Sequence, residues 1–332
     1  MTMHLVAQAP GDPDPQVRAD RGVTAVTAAD RAVHAPDVTL MLIGDGSLMA
    51  RCSCWWNGAP THEGGRIGVI GHYAAADPRS ASALLTHACD VLAAHTCTLA
   101  AGPVDGTTWR RYRFIVERGT EPPFFLEPDN PDDWPGHWTA AGFDTLATYT
   151  SALNDDLAQT DPRTDARRER LAEAGIAIRT FDMSQAGMEL RRMFALSLAA
   201  FSRNFLYTPI SEAEFLSQHT PLLPYVRSEL VLLAEQANRL VGLMLAVPDA
   251  LEVRRGSGSA TIIMKTIAVD PSVRGLGLGG TLFDLVQRSA HQLGFRRAIH
   301  ALIHETNVSG RISARYARTI RRYALFSRKL IG

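Results

Sequence analysis

The sequence predicts an α+β protein whose mixed, mostly antiparallel sheets are flanked by helices, and three observations carry that prediction. Apolar runs of strand length are interrupted by a few amphipathic helical patterns, without a regular strand–helix alternation. Hairpin signals recur, at Gly44-Asp45-Gly46 and at Gln236-Ala237-Asn238. The chain has 332 residues, 46% apolar and 20% charged, a globular balance with room for two cores.

Zero net charge gives no overall field of the kind that draws a protein to nucleic acid or a membrane surface. No apolar run is long enough to span a bilayer, and MTMHLVAQAPGDPDPQV lacks the basic and apolar regions of a secretory signal. The expected location is cytoplasmic. Cys52, Cys54, Cys89 and Cys97 lack partners at zinc spacing, so they read as small buried side chains, and no metal site is expected.

Residues 1–36, rich in Ala, Asp and Pro, read as a flexible or loosely docked leader. Residues 37–152 read as a first domain. Strands are expected at Val38–Ile43, Leu48–Trp55 and Ile67–Tyr73, and a helix runs from Pro78, in its first turn, to about His95. Leu84, Leu85, Ala88, Val91 and Leu92 form its apolar face. Strands at Thr96–Ala101 and Tyr112–Glu117, a short helix near Ala140 and a strand at Thr145–Ser151 complete the unit. Residues 153–174 are polar and read as a linker, helical in part after Pro162.

The second domain, residues 175–332, opens with a strand at Ile176–Phe181. Ser184 is the expected cap of a helix burying Met188, Arg191 by its stem, Phe194, Leu198 and Phe201. Ser211 and Glu214 make a capping box ahead of a second helix. A hairpin (Glu229–Glu235 and Arg239–Val247) and a strand at Ala260–Val269 follow. After a loop comes a helix ending near Leu293, with Leu282, Leu285, Val286, Ala290 and Leu293 as its stripe and Gly294 as its stop. A strand at Arg297–Ile303, a helix at Ser309–Ala317 and a strand at Arg322–Leu330 end the chain.

The segment IAVDPSVRGLGLGGTLF is the most informative. Gly275, Gly277, Gly279 and Gly280 stand between an apolar strand and an amphipathic helix, where side-chain-free residues let main-chain amides converge on an anion at the helix start. Arg274 adds a fixed charge. Gly275, Gly277 and Gly280 also satisfy GxGxxG, a dinucleotide fingerprint, but five residues separate strand from glycine and too little chain follows for further parallel units. Arg274-x-x-Gly277-x-Gly279 (RxxGxG) is the register that fits the strand–DPSVR–helix setting.

Strand, VDPSVRGLGLG, helix, strand and then Asn307 together resemble the GNAT acyltransferase superfamily, over about residues 176–330. The resemblance implies acyl-CoA, with acetyl-CoA the first choice, held in a cleft between the fourth and fifth strands. The backbone of Ile267, Ala268 and Val269 would pair with pantetheine. The amides of Arg274, Gly275, Leu276, Gly277, Leu278, Gly279 and Gly280 would hold pyrophosphate, and Asn307 would contact the cofactor. Where the family commonly places a proton-donating tyrosine this chain has Ala314, so Tyr316 is the nearest substitute. The family's direct attack by a neutral amine needs a base, for which Glu235, His304 and Glu305 are candidates; His300 shares a strand face with His304. Lys265 reads as recognition of an acidic substrate or as an edge charge. Residues 311–332 carry seven Lys/Arg and no acidic residue, read as solvated surface, with Arg311 or Arg315 able to meet a CoA phosphate.

The first domain resembles a second, divergent GNAT-like domain. Its corresponding loop, Ala74–Ser82, has no glycine, so this half is not expected to bind CoA. GPVDGTTWRRYR reads either as an acceptor-binding lip using Asp105, Trp109, Tyr112 or Arg113, or as a loop pinned by Trp109. The expected activity is N-acyl transfer to a small-molecule amine. A non-catalytic acyl-CoA sensor, transfer to oxygen or sulfur, and decarboxylation are the alternatives; acceptor and oligomeric state stay open.

Overall fold

The structure, a computed structural model, describes residues 3–20, 22–256 and 258–330, without the side chains of residues 308, 309 and 311. Its first half comprises β1 (Met3–Gln8), β2 (Arg18–Ala19), α1 (Ala28–His34), β3 (Val38–Gly44), β4 (Ser47–Trp55), β5 (Thr61–His62), β6 (Gly65–Ala75), α2 (Pro78–Ala94), β7 (Leu99–Gly102), β8 (Phe114–Glu117), α3 (Trp134–Ala140) and β9 (Asp144–Asn154). The second comprises α4 (Thr164–Glu173), β10 (Ile176–Thr180), α5 (Ala186–Phe201), α6 (Glu212–His219), β11 (Val231–Gln236), β12 (Arg239–Pro248), α7 (Ala250–Arg254), β13 (Thr261–Val269), α8 (Leu278–Gln292), β14 (Arg297–His304), α9 (Val308–Ser313) and β15 (Arg318–Lys329). The fold is α+β.

Local chemistry sets these elements. Asp45 and Gly46 turn the first hairpin, and Ala237 and Asn238 the second, all four with positive φ as two-residue turns of matching twist require. Asp77 accepts a hydrogen bond from the Ser80 amide and Pro78 opens α2, whose Leu84, Leu85, Ala88 and Leu92 are buried. In α8 Leu282, Val286 and Ala290 are buried as the pattern predicts, while Leu293 stays exposed.

The strands form one continuous sheet in the order β1-β3-β4-β6-β7-β15-β9-β14-β13-β12-β11-β10. That order is nearly palindromic. In each half three antiparallel steps lead to one parallel step, β6 to β7 and β13 to β14. The last strand of each half then crosses over: β15 pairs with β7, and β9 pairs with β14. The two exchanged strands meet in the middle, where Ser151 Oγ and Tyr323 OH lie 3.0 Å apart. The terminal strand, expected with the second half, thus completes the sheet of the first.

Three further expectations are corrected. The leader is not loose: Met3–Gln8 pairs with β3 over six residues and occupies the place that β10 holds in the other half. A short strand bounded by Asp and Pro carries too little pattern to reveal itself without its partner. Next, α5 buries Leu190, Met193, Leu196 and Ala200 while Met188 is 53% exposed, because two overlapping apolar stripes fit the same helical period and packing chose the other. Ser184 does not cap it: Asp182, accepting from the Ser184 amide, caps the 3-10 turn Met183–Gln185 ahead of the helix, and the N-cap of α5 itself, Gln185, makes no side-chain bond. Last, the basic terminal strand is ion-paired within the chain: Arg318 with Glu121, Arg321 with Glu127 and Arg322 with Glu117.

Candidate active site

The parallel pairing of β13 with β14 stops at Met264 and His300. Beyond that point the strands splay, leaving the β14-facing edge of Lys265 to Val269 without a strand partner. An extra residue in β13, Lys265, sits where the register to β12 shifts between Leu245 and Ala246 and aids the divergence. The splay opens into a cavity of about 770 Å³, within the usual range for small-molecule sites. Ile267 lines it; Ala268 is buried in the core and Val269 half-buried.

On the far side of β13 the glycine loop is free to bind an anion. Gly275 and Gly277 have φ of 90° and 79°, conformations that side chains resist. Gly277 is the N-cap of the 15-residue α8 and supplies no side-chain acceptor, so the first-turn amides point outward. No atom lies within 4 Å of where a Gly275 Cβ would be, and Arg274 is exposed beside it. An anionic diphosphate fits this cradle of open amides, helix dipole and guanidinium.

Residues 153–174, expected as a linker, dock here. Asp161 accepts from Arg163 and Arg167, meets Arg315 at 3.3 Å, and takes an ion-paired form in which the Arg163 hydrogen bond above all holds its carboxyl far below the ordinary range. Arg167 lies over the loop: a Cβ on Gly277 would be 3.3 Å from its Cδ. Nothing in the periodicity of the sequence marked Arg167, because its role depends on α4 packing against α8. The side chain of Arg311 lies outside the described residues.

Of the expected catalytic groups, His304 reaches the cavity. Its Nδ1 faces the Thr306 amide and hydroxyl, leaving Nε2 buried without a partner. Burial, with Arg113 adding and Glu305 opposing, lowers its pKa below the usual imidazole value. With the Thr306 amide bound at Nδ1 the neutral ring carries its hydrogen on Nε2; Nε2 can accept a proton in the other tautomer, whose Nδ1–H donates to the Thr306 hydroxyl. Asn307 lies at the rim and Glu305 bonds Thr148. His300 is buried against Ser313 and Gln287, its pKa lowered by burial to about 3, a structural role.

Two candidates are not brought to the site. Glu235 is bound by Arg179 at 2.5 Å and Arg192 at 2.8 Å; burial opposes the shift, but the two guanidiniums hold its carboxyl below the usual range. It does not line the cavity, and a carboxylate so paired is a poor base. Tyr316 packs with the core behind α8, and burial foremost raises its pKa. It lies past the end of α9, in the turn after Ser313, and does not line the cavity.

The opposite wall comes from the first half. Trp109 donates to the Thr208 carbonyl (3.0 Å) and packs on Phe201 and Phe215, and Tyr112 lines the cavity beside it. The guanidinium of Arg113 lies between the rings of Tyr112 (3.7 Å) and Tyr149 (4.1 Å) and donates to the Leu302 carbonyl. Asp105 is elsewhere: it accepts the His72 amide at 2.5 Å within the first half. Lys265 Nζ reaches the Leu126 carbonyl at 3.2 Å from the β13 side. Tyr149, His219 and Glu127 also line the cavity and escaped the sequence reading, since they lie on three unrelated elements.

Residues 194–317 match the model of the acetyltransferase (GNAT) family. No curated protein matches the sequence. Among solved structures, a protein of unknown function from Enterococcus faecalis is similar, with 10% identity, a TM-score of 0.54, and coverage of 99% of this chain and 73% of that one. A glucosamine N-acetyltransferase region of a fungal multi-domain β-N-acetylglucosaminidase aligns at 13% identity and a TM-score of 0.51, over 88% of this chain and 33% of the other. A tandem GNAT protein from the clavulanic acid biosynthesis pathway aligns at 14% identity over 100% and 99% of the two chains, with a TM-score of 0.47. No helix among the described residues is long and apolar enough to cross a membrane.

Proposed function

We propose that the chain, whose residues 194–317 match the acetyltransferase (GNAT) family, transfers an acyl group, acetyl in the first instance, directly from acyl-CoA to a small-molecule amine. The observation that carries this reading is the continuity of three features: the open glycine loop at α8, the unpaired edge of β13, and the cavity holding His304. Diphosphate on the loop amides would lay the pantetheine arm along Ile267–Val269 and deliver the thioester to the splay.

His304 is our choice of base. For this the ring takes the tautomer whose Nδ1–H donates to the Thr306 hydroxyl, 2.9 Å away, so that the lone pair of the buried Nε2 takes a proton from the ammonium group; the freed amine attacks the thioester carbonyl, the C–N bond forms and the C–S bond breaks. The proton shed by the new amide nitrogen goes to the departing thiolate. Tyr316 and Glu235 have no part in this scheme.

Titration calorimetry with acetyl-CoA tests the loop, comparing wild type with Gly277→Glu; equal affinity would remove the basis of the proposal. The absence of a tyrosine at Ala314 favours a second reading, an acyl-CoA sensor without turnover. CoA release above background with a panel of amines rejects it.

A further inference from the structure

The charge on the cavity wall is one-sided. Arg110, Arg111, Arg113, Arg203 and Lys265 line it, against Glu127 as the one carboxylate among the described lining residues. Glu127 is engaged elsewhere: it pairs with Arg321 at 2.8 Å and accepts the Tyr323 hydroxyl at 2.5 Å. Arg110 is matched by Glu214 at 2.6 Å, from outside the cavity. The other four have no such partner among the described residues; Arg111 and Arg203 are exposed to solvent, which leaves Lys265 and Arg113 as the two withdrawn from it. Among the described residues no carboxylate lies within ion-pairing distance of either, although Arg113 is 5% exposed and Lys265 only half-buried by surface yet surrounded by protein. The Lys265 ammonium has three donors and one recorded acceptor, the Leu126 carbonyl. Arg113 leaves Nε buried and unpartnered, and its φ of 66° is a conformation that arginine rarely adopts.

Two cations facing one cavity repel each other, and neither has a carboxylate at ion-pairing distance to offset its desolvation in full. The Lys265 pKa shows it: burial first, then Arg113, with Glu127 opposing in part, brings it down to about 8. An anion between them would relieve both costs at once. The flanking rings favour a planar one, since Tyr112 and Tyr149 fix the guanidinium as a flat fork that matches a carboxylate.

We infer that the acyl-acceptor side of the cavity binds a carboxylate, with Lys265 and Arg113 as its recognition pair, so that one of the two substrates is an acid. This rests on the acyl-transfer reading and narrows it to an amino-acid-like amine or, from the other side of the thioester, a dicarboxylic acyl group. The first source places the anion on the acceptor; the second places it on the acyl chain, next to Lys265 where β13 and β14 part.

The test measures kcat/KM for a set of L-amino acids and their carboxamides with acetyl-CoA, and for the carboxamides again with succinyl-CoA. Wild type is expected to prefer acid over amide by about a hundredfold, the scale for a buried ionic partner left unmatched. Lys265→Met should cut that ratio to less than about tenfold, and Lys265→Arg should restore most of it, because charge and not shape is being read. A preference that appears only with succinyl-CoA assigns the carboxylate to the acyl group. The inference is overturned if acids and amides are used equally and succinyl-CoA is no better than acetyl-CoA with the amides, if Lys265→Met keeps the preference, or if no acid-bearing pair turns over. Acetyl-CoA binding that depends on Gly277 would in each of those cases leave the acyl-transfer reading standing, and its loss would remove both.

Discussion

The two halves of the sheet part at equivalent places and then do opposite things. In the second half β13 and β14 splay and the gap stays open as the cavity. In the first half β6 and β7 pair from Ile67 to Val69 opposite Leu99 to Ala101, then diverge in the same way. There the chain fills its own gap: Val104 donates to the Ile70 carbonyl and Asp105 accepts the His72 amide. Gly71 is needed at this point, since a Cβ would sit 2.1 Å from the Val104 carbonyl oxygen. Behind the plug runs a buried polar chain, His34 to His72 at 2.7 Å, His72 to Ser53 at 2.9 Å and Ser53 to Thr39 at 2.8 Å. The helix starts differ as well. Gly277 leaves the α8 amides open, whereas Asp77 turns a carboxylate onto those of α2. The same loop that seals the first cleft continues into Trp109, Tyr112 and Arg113, the wall of the second. One half has become the lid of the other.

The largest effect expected from breaking this contrast is at the loops. Gly277→Glu places a side chain at φ 79° and a negative charge at the diphosphate site, and should weaken acetyl-CoA binding at least about a hundredfold. Ser82→Glu, on the exposed face of α2 just past its first turn, should leave it unchanged in calorimetry; a comparable loss would mean that both helix starts bind CoA.

Turnover should separate the two cleft histidines next. His304→Gln is expected to lower kcat/KM by about a hundredfold and remove the acidic limb of its pH profile, a limb lying below the ordinary imidazole pKa. His72→Gln, in the sealed cleft, should leave kcat/KM near wild type. A pH profile that keeps its acidic limb in His304→Gln would point to another base.

Packing gives a smaller contrast. Gly71→Ala drives a methyl into the Val104 backbone and should cost about 3 kcal/mol of stability by urea unfolding. Gly279→Ala meets only Ile267 and Val269 side chains at 3.5 Å, so its stability should stay within about 0.5 kcal/mol of wild type. Equal losses would show that the second cleft, too, is filled in solution.

Acid should affect the halves alike. Burial first of all lowers His72 and His300 to about 3, one in each half, against an unfolded value near 6.5. Since the folded pKa is the lower one, the stability is complete above about pH 6.5 and is lost as pH falls towards 3, at roughly 1 kcal/mol per unit per histidine. Tm measured from pH 7.5 to 4.5 should be flat at first and then fall; a Tm that is constant down to pH 4.5 would contradict burial of these rings in neutral form.

Short-range chemistry was legible in the chain itself. Glycines between an apolar strand and an amphipathic stripe, Pro78 behind Asp77, and two-residue turns at Asp45-Gly46 and Ala237-Asn238 constrain neighbouring dihedrals and amides, so they point to α2, α8, the hairpins and the glycine loop without any distant partner. His304 stood out at a strand end, Lys265 on a strand beside it, Trp109 and Tyr112 in a polar and aromatic loop, and Asn307 through the family resemblance; the fold gathers them around one cavity. What only tertiary structure decided depends on which surface meets which. The exchange of β9 and β15, the docking of Met3–Gln8, the rotation of α5 and the cover of Arg167 over the loop are each one choice among several that local pattern permits equally. Glu235 and Tyr316 were misplaced for the same reason: a side chain's reactivity follows from its neighbours in space, and two arginines or a packed core leave no mark on the residues beside it in sequence.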